Sequence, residues 1–597
     1  MSQAKKTVRI GGASGFWGDS MLGAPQLVNS GEIDYLVFDY LAETTMAILA
    51  AARSKKPELG YATDFVDIAM KAVLPEVLRR GIKVVANAGG INPQGCADAL
   101  QALASSLGVS PRIAVVLGDD ISAQMPEVRA QGARDMFTGE ALPEKIISAN
   151  AYLGAFPVAQ ALRAGADIVI TGRGVDSATT LGPLIHEFGW TEHDLDALAG
   201  GSLAGHIIEC GCQATGGLHT DWERVEDWPN IGYPIVECHA NGHFDVFKPA
   251  GTGGLIARAA VAEQLLYEIG DPSAYCLPDV TCDFRAVVIE QLSPERVRVS
   301  GAKGRSPTDC YKVSATQLDG YRCAGSMVII GIDAAAKAQR TGDAVIARTR
   351  AILKSLGLPD YTSAQVTLFG AETLYGPHAR TRHSREVMVR ISVTHPMKQA
   401  LEIFAREIAP SGTSWSPGTT GPSAGRPGAA PNIKPFSFLI KKHQVPVQVA
   451  LEGVTQPVTI VEGRGDTTTQ QTPVPAPWSE SIEDQVRVPL VKLAWARSGD
   501  KGNISNIGII ARDPDWMPLI WARLTPEVVQ SYFAHLVHGQ VQRYYLPGMQ
   551  AMNITMEEAL DGGGPASSRM DPLGKGMGQM LLDLELAVPA SLAKQLA

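Results

Sequence analysis

The chain has 597 residues, 45% hydrophobic and 19% charged, with 61 Gly and 38 Pro, a balance that suits a folded, loop-rich protein of about two to four domains and excludes a disordered or fibrous one. A formal net charge of −9 without a lysine–arginine stripe argues against a nucleic-acid partner, and no run reaches the ~18 apolar residues of a membrane span. The start MSQAKKTVRI lacks an apolar signal region and the eight cysteines are scattered, so reduced thiols and a cytoplasmic location are expected.

From the N-terminus, TVRI runs into GGASGFWGDS, with a helix-like stretch to about Asn29. DYLVFDYL, GIKVVANAGG, RIAVVLGDD and ADIVITGRG repeat the theme of a short apolar run before a polar or glycine-containing turn. That alternation predicts βαβ units and a parallel, Rossmann-like sheet covered by helices, an α/β part spanning 1–270. A helix is predicted from about Pro93 to Leu107, and Asp176 and Ser177 stand where they would cap the helix after Gly172-Arg173-Gly174.

Residues 200–256 gather Gly, Cys and His and carry fewer helical signals. From about 275 to 400, FRAVVIEQL, ERVRVSGA, SMVIIGI and REVMVRISVTH read as strands, with a helix near 331–356, so 271–465 is a strand-rich α+β part. The Gly/Pro/Ser stretch 411–435 reads as a long functional loop. The Pro/Thr-rich segment 463–481 reads as an interdomain linker, bounded at 466–485. In 486–597, VRVPLVKLAWARSGDKG and SNIGIIAR read as a strand pair, TPEVVQSYFAHLV as a helix and MGQMLLDLELAV as a closing strand.

Gly12-x-x-Gly15-x-x-Gly18 with Asp39 at the next strand end fits a dinucleotide fingerprint, and Asn87-Ala88-Gly89 resembles the NAG turn of short-chain dehydrogenases. Against it, no tyrosine has a lysine four residues on, and Phe16 and Trp17 are bulky for a loop pressed on a pyrophosphate. A tight structural turn beside a substrate pocket is the favoured reading, with an NAD(P)-dependent oxidoreductase kept as an alternative.

GGASGFWGDS, DYLVFDYLAE, NAGGINP, ITGRGVDSA, ECGCQATGG and ARSGDKGNISNIG, in this order, resemble the acyclic terpene utilisation protein A (AtuA) family along nearly the whole chain. The resemblance implies a core to about 470 and a small ferredoxin-like domain from about 486. It also implies a place in the bacterial breakdown of citronellol and geraniol through acyl-CoA intermediates. The expected substrate is therefore a branched acyl-CoA, with coenzyme A as part of the substrate and no certain cofactor. The expected reaction is a lyase-class step, hydration or carbon–carbon cleavage of a 3-hydroxyglutaryl-type thioester. A non-catalytic partner of the pathway's acyl-CoA carboxylase is the other alternative, and a homo-oligomer is expected.

The candidate residues follow from strand-end position and chemistry. Asp19 and Glu43 are candidate proton carriers, with helix capping as the competing role. Asn87, Gly89, Gly90 and Asn92 offer donors to an enolate, or simply turn chemistry. Arg173 suits a carboxylate or phosphate, unless Asp176 pairs it. His206, Glu209, Cys210, Cys212, His219, Cys238, His239 and His243 look metal-like in composition but not in spacing, so no metal is assigned; Glu209 and Cys210 are kept as pocket acid and thiol. Gly15 and Trp17 line the first turn, and Gly253 belongs to a second glycine turn, GTGGLIARAA, suited to a coenzyme A phosphate. Arg497, Ser498, Asp500, Lys501 and Asn503 form the densest polar motif. The Gly-rich basic loop 562–578 is placed to fold over a ligand held between domains.

Overall fold

The computed structural model describes residues 7–422, 425–464, 473–479 and 484–596. The first strands are β1 (Thr7–Gly12), β2 (Tyr35–Phe38), β3 (Lys83–Ala86), β4 (Ile113–Leu117), β5 (Ser148–Ala151) and β6 (Ile168–Thr171). All but β5 lie parallel in the order β1-β2-β3-β6-β4. Helices cover both faces, so β2 and β6 are buried at every residue and read as unbroken apolar runs. Antiparallel strands extend the sheet on both sides. β7 (Ile235–His239), β8 (Phe244–Phe247), Arg296–Ser300 and Val288–Ser293 follow beyond β1, and Gln448–Leu451 and Val454–Pro457 beyond β4. Among the described residues this sheet has eleven strands.

Helices Gly23–Ser30, Glu43–Lys55, Lys71–Arg80 and Pro93–Ser106 pack on one face, against Leu36, Phe38, Val84 and Ile170. Phe156–Arg163, Ala178–Phe188 and Leu195–Ile208 pack on the other, against Ile10, Val37, Val85 and Val169. The chain thus leaves β3 toward one face and its neighbour β6 toward the other. Adjacent strands with opposite exits open a crevice at their carboxyl ends, where open α/β sheets bind ligands.

Residues 200–256 hold more helix than their composition predicts: Leu195–Ile208 is helical and buried from Leu198 to Ile208. Its glycines, poor helix formers, let the chain approach closely, since a Cβ on Gly205 would lie 2.7 Å from Ser177 Cα. The expected cap is absent. Helix Ala178–Phe188 has no side-chain cap, because Asp176 is taken by Arg173 at 2.8 Å.

A second sheet forms around the long strand Cys310–Ile330, which pairs with Glu386–His395, Ala430–Lys441, Thr419–Pro422 and β5. Helices Ala334–Ser355 and Lys398–Glu407 cover it. Much of the expected 411–435 loop is therefore strand, held by pairing with a distant partner rather than by local propensity; residues 423–424 lie outside the described residues.

The C-terminal unit is an antiparallel sheet in the order Ala494–Lys501, Ile504–Ala511, Ala551–Met556, Val541–Leu546. MGQMLL is a helix, Met577–Leu582, whose buried Met577, Met580 and Leu581 follow helical spacing; the closing strand starts only at Glu585. Residues 465–472 and 480–483 of the expected linker lie outside the described residues, while Trp478 between them packs on the C-terminal core. The unit also joins the main core through Ile510, Leu546, Met549 and Ala551. Asn506 strengthens that joint, with Nδ2 donating to Leu266 O at 2.7 Å and Oδ1 accepting from Glu268 N at 3.0 Å. Among the described residues, no helix is long and apolar enough to cross a membrane.

Candidate functional site

The glycine turn after β1 is filled by the chain itself. A Cβ on Gly12 would lie 2.6 Å from Ile208 O, and one on Gly15 2.8 Å from the Cys210 carbonyl carbon. The space a pyrophosphate would need at these glycines holds the 208–210 backbone. Asp19 closes the turn by accepting from Gly15 N at 2.8 Å, Ser20 N at 2.6 Å and the Tyr233 hydroxyl at 2.9 Å. Trp17 packs on the core. Gly253 serves the same kind of purpose: its Cβ would lie 2.2 Å from Asp227 O.

The turn after β3 is also committed. Gly89 N donates to Thr171 O at 3.0 Å, Ile91 N to Gly60 O at 3.0 Å and Asn92 N to Gly89 O at 2.9 Å. Asn92 Oδ1 caps the next helix through Gly95 N at 3.2 Å, and its Nδ2 donates to Leu59 O at 2.9 Å. Gly90 sits at φ 55°, a left-handed conformation suited to glycine. Asn87 holds the β2 end, accepting from Tyr40 N at 2.8 Å and donating to Asp39 Oδ1 at 2.5 Å. The donors expected to meet an enolate here are spent on the turn.

Beside it, the turn after β6 carries buried charge. Arg173 is 4% exposed. Its backbone N–H donates to Asp119 at 2.8 Å, Nη1 to Leu41 O at 2.7 Å and Asp176 at 2.8 Å, and Nη2 to the Tyr152 hydroxyl at 2.9 Å. Tyr152 in turn donates to Glu43 Oε1 at 2.8 Å, and Lys312 Nζ stands 3.9 Å from that oxygen. Burial works to raise Glu43, but the Lys312 and Arg173 charges prevail and hold it at about 2. Asp119 goes the other way, lifted by burial to about 6 against the hydrogen bonds from Arg173 N and Asn150. Asp39 is raised by burial and by the negative charges of Asp176 and Glu209.

The opposite wall comes from the Cys/His-rich segment and the C-terminal unit. His206 Nε2 faces Leu265 O at 3.1 Å and so carries a hydrogen, while Nδ1 meets Glu209 Oε1 at 2.8 Å. Burial raises Glu209 against the pull of His206, and the Glu209 charge and hydrogen bond in turn raise His206 against its own burial. Glu268 holds a left-handed backbone, φ 59°, with its N–H on Asn506; such strain in a non-glycine residue gathers at functional sites. Its carboxylate lies 3.7 Å from Lys501 Nζ and 3.6 Å from Lys575 Nζ. Burial and then the Glu268 and Glu43 charges push Asp500 up to about 8 against Lys501. Burial brings Lys575 down to about 8. Burial also raises the Cys210 thiol, helped by Glu209 and Glu268, so it stays protonated.

Around the strand-end crevice, Arg173, Asp176, Glu43, Glu209, Cys210, Asp500 and Lys501 lie near enough for each to feel the charge of others in the group. Arg497 borders it, with Nη2 on Gln213 at 2.5 Å. Ser498 and Asn503 instead anchor the 560–578 loop: Ser498 Oγ accepts from Gly578 N at 2.8 Å, and Asn503 Oδ1 from Leu560 N at 3.1 Å. Tyr152, Lys312 and Glu268 are cleft residues without a local sequence signal. Lys575 falls inside the basic Gly-rich loop that the sequence does mark. Cys210 and Cys212 lie at a 3₁₀ turn, Gly211–Thr215, not on a strand. Among the described residues, the metal-compatible cluster is Glu237, His239 and Asp245, and its two acids are already paired with Arg9, Arg296 and Arg298.

Searches of curated proteins and of solved structures each find no match. The family of acyclic terpene utilisation protein AtuA matches residues 8–451, and the AtuA ferredoxin-like domain matches residues 488–587. The first match covers Arg173, Glu43, His206, Glu209 and Glu268, the second adds Asp500, Lys501 and Lys575, and the chain belongs to the AtuA family of acyclic terpene utilisation.

Proposed function

We propose that this chain is an enzyme of acyclic terpene utilisation that acts on a branched acyl-CoA by a lyase-class step, hydration or carbon–carbon cleavage. The observation that supports it is the meeting of Asp39, Glu43, Asp176, Glu209, Glu268 and Asp500 with Arg173, Lys312 and Lys501 in one cleft. Titratable groups pushed from their ordinary range by burial and by one another mark sites of proton transfer. Glu43 at about 2 is a weak base, and Asp19 is spent on its turn. The proton-moving roles pass to Glu209 with His206, as base, and to Asp500, protonated at neutral pH, as acid. In cleavage, Glu209 takes the β-hydroxyl proton and the β-carbon becomes a carbonyl. The electron pair of the Cα–Cβ bond moves to the thioester as an enolate, and Asp500 returns a proton to Cα. In hydration the same pair adds water, hydroxyl to Cβ and proton to Cα. Lys501 is the charged partner for the enolate or for a second carboxylate, and the Arg173–Tyr152–Glu43 chain holds the wall in place.

The test is thermal stabilisation followed by mass-spectrometric turnover, comparing free coenzyme A, branched acyl-CoAs with and without a second carboxylate, NAD and NADP. Stabilisation and turnover with acyl-CoAs, lost in Glu209→Gln, support the reading. Stabilisation by NAD or NADP alone overturns it in favour of an oxidoreductase, and a stable complex with the carboxylase without turnover overturns it in favour of a scaffold.

A further inference from the structure

A cavity of about 480 Å³ adjoins the cleft at Arg497 and Lys575, and Leu218, Val225, Trp228 and Ile231 give it apolar walls. Its volume falls in the range of small-molecule pockets, about 300–1,000 Å³. Trp222 and Trp228, paired edge to face at 6.2 Å, are each 57% exposed at this cavity. Large aromatic surface left open beside a cavity is the mark of a binding site.

The polar groups at the cavity are cations short of counter-charge. Arg497 is 7% exposed. Its Nη1 and Nη2 reach neutral acceptors, Leu218 O and Gln213 Oε1, and its buried Nε has no partner among the described residues. Lys575 shares the single carboxylate of Glu268 with Lys501. Both cations lie over the Tyr267 ring, at 4.9 and 4.2 Å from its centre. The nearby Glu263 is consumed by His219 Nδ1 at 2.6 Å and by Thr220 Oγ1 at 2.5 Å, which leaves His219 Nε2, also buried, unpartnered. Burial works against the charge of both Arg497 and Lys575, so an anion brought between them would relieve an existing cost.

We propose that this cavity binds an amphipathic carboxylate, its hydrocarbon chain against Trp228, Val225 and Ile231 and its anionic head between Arg497 and Lys575. The site stands whatever reaction the cleft performs, because it rests on the cavity and on the two cations, Arg497 and Lys575, at the border between the two.

The test titrates the full chain with octanoate, octanol and octylamine, reading tryptophan fluorescence and, in parallel, thermal stabilisation. Octanoate is expected to saturate the signal, with octanol binding at least about tenfold more weakly because its neutral hydroxyl brings no counter-charge and only one acceptor oxygen to the two cations, and with no binding of octylamine. Arg497→Gln is expected to reduce octanoate to the affinity of octanol, and Trp228→Leu to remove most of the fluorescence change. Lys575→Met, at a side chain 39% exposed, repeats the Arg497 test at a position that folding tolerates. Glu43→Gln changes the cleft alone: octanoate binding stays while acyl-CoA turnover falls, so the two sites fail separately. Equal affinity for octanoate and octanol, insensitivity to both Arg497→Gln and Lys575→Met, or the absence of saturable binding would overturn the proposal.

Discussion

Two glycine turns end strands of the same sheet and use their glycines for different ends. After β1, Gly12 and Gly15 make room for the backbone of Ile208 and Cys210, and Asp19 seals the turn. After β6, a Cβ on Gly172 would lie 2.4 Å from Asp119 Oδ1, so the glycine makes room for a carboxylate, and Arg173 follows it as a buried cation. The first turn looks more like a ligand cradle in sequence, yet the second faces the cleft. A strand-end glycine reports a close neighbour without naming it. A buried arginine is more informative, because its cost demands partners and the partners gather at the site.

The largest effect expected from breaking this contrast is at Arg173. Arg173→Leu leaves Asp176, Tyr152 and Glu43 without their shared cation and should cost about 3–5 kcal/mol, read by denaturant unfolding, together with loss of turnover. Arg173→Lys should not restore it, since a single ammonium nitrogen on a shorter side chain does not span Leu41 O, Asp176 and Tyr152 as the two arms of the planar guanidinium do. If both variants keep wild-type stability, the cleft is not held by this network.

Gly12→Ala should cost about 1–3 kcal/mol through overpacking on Ile208 O, with the ligand affinity of the folded fraction unchanged. A specific loss of NAD or NADP binding in this variant would erase the difference between the two turns. Asn506→Ala removes hydrogen bonds to Leu266 O and from Glu268 N and should cost about 1–3 kcal/mol. Hydrogen exchange should then quicken at 266–270 while the β1 turn stays protected.

The last comparison is read against pH. Asp500 rises from an ordinary value of about 4 to about 8 on folding. Its contribution to stability is therefore full below pH 4 and declines as pH climbs through 8. Asp500→Asn should melt higher than wild type by a margin that widens from pH 5 to pH 8 and then levels off. A margin independent of pH would place Asp500 outside the shared field of the cleft.

Much of the parallel block is legible in the sequence, because β2 and β6 are buried on both faces and only apolar runs tolerate that. Helix Leu195–Ile208 is not, since its glycines argue against a helix until Ser177 and Gly242 press on them. Thr419–Pro422 and Ala430–Lys441 are strands only because Cys310–Ile330 pairs with them. The site divides along the same line. Arg173, Asp176 and Glu43 follow strand ends in the sequence, and the structure sets Arg173 beside Asp176 and, through Tyr152, in one chain with Glu43. Asn87, Gly89, Gly90 and Asn92 share that position, yet their donors are used within the turn.

By itself, then, the sequence determined the family, the apolar strands and the positions where charge interrupts them, because these depend on local periodicity and residue type. Tertiary structure alone decided which polar residues face one another. Tyr152, Lys312, Glu268 and Lys575 reach the cleft from separate strands and loops, and Arg497 meets His219 at the cavity only because the C-terminal unit packs into the main core. Long-range packing sets those distances, and the pKa shifts and the shortage of counter-charge at the cavity follow from the distances.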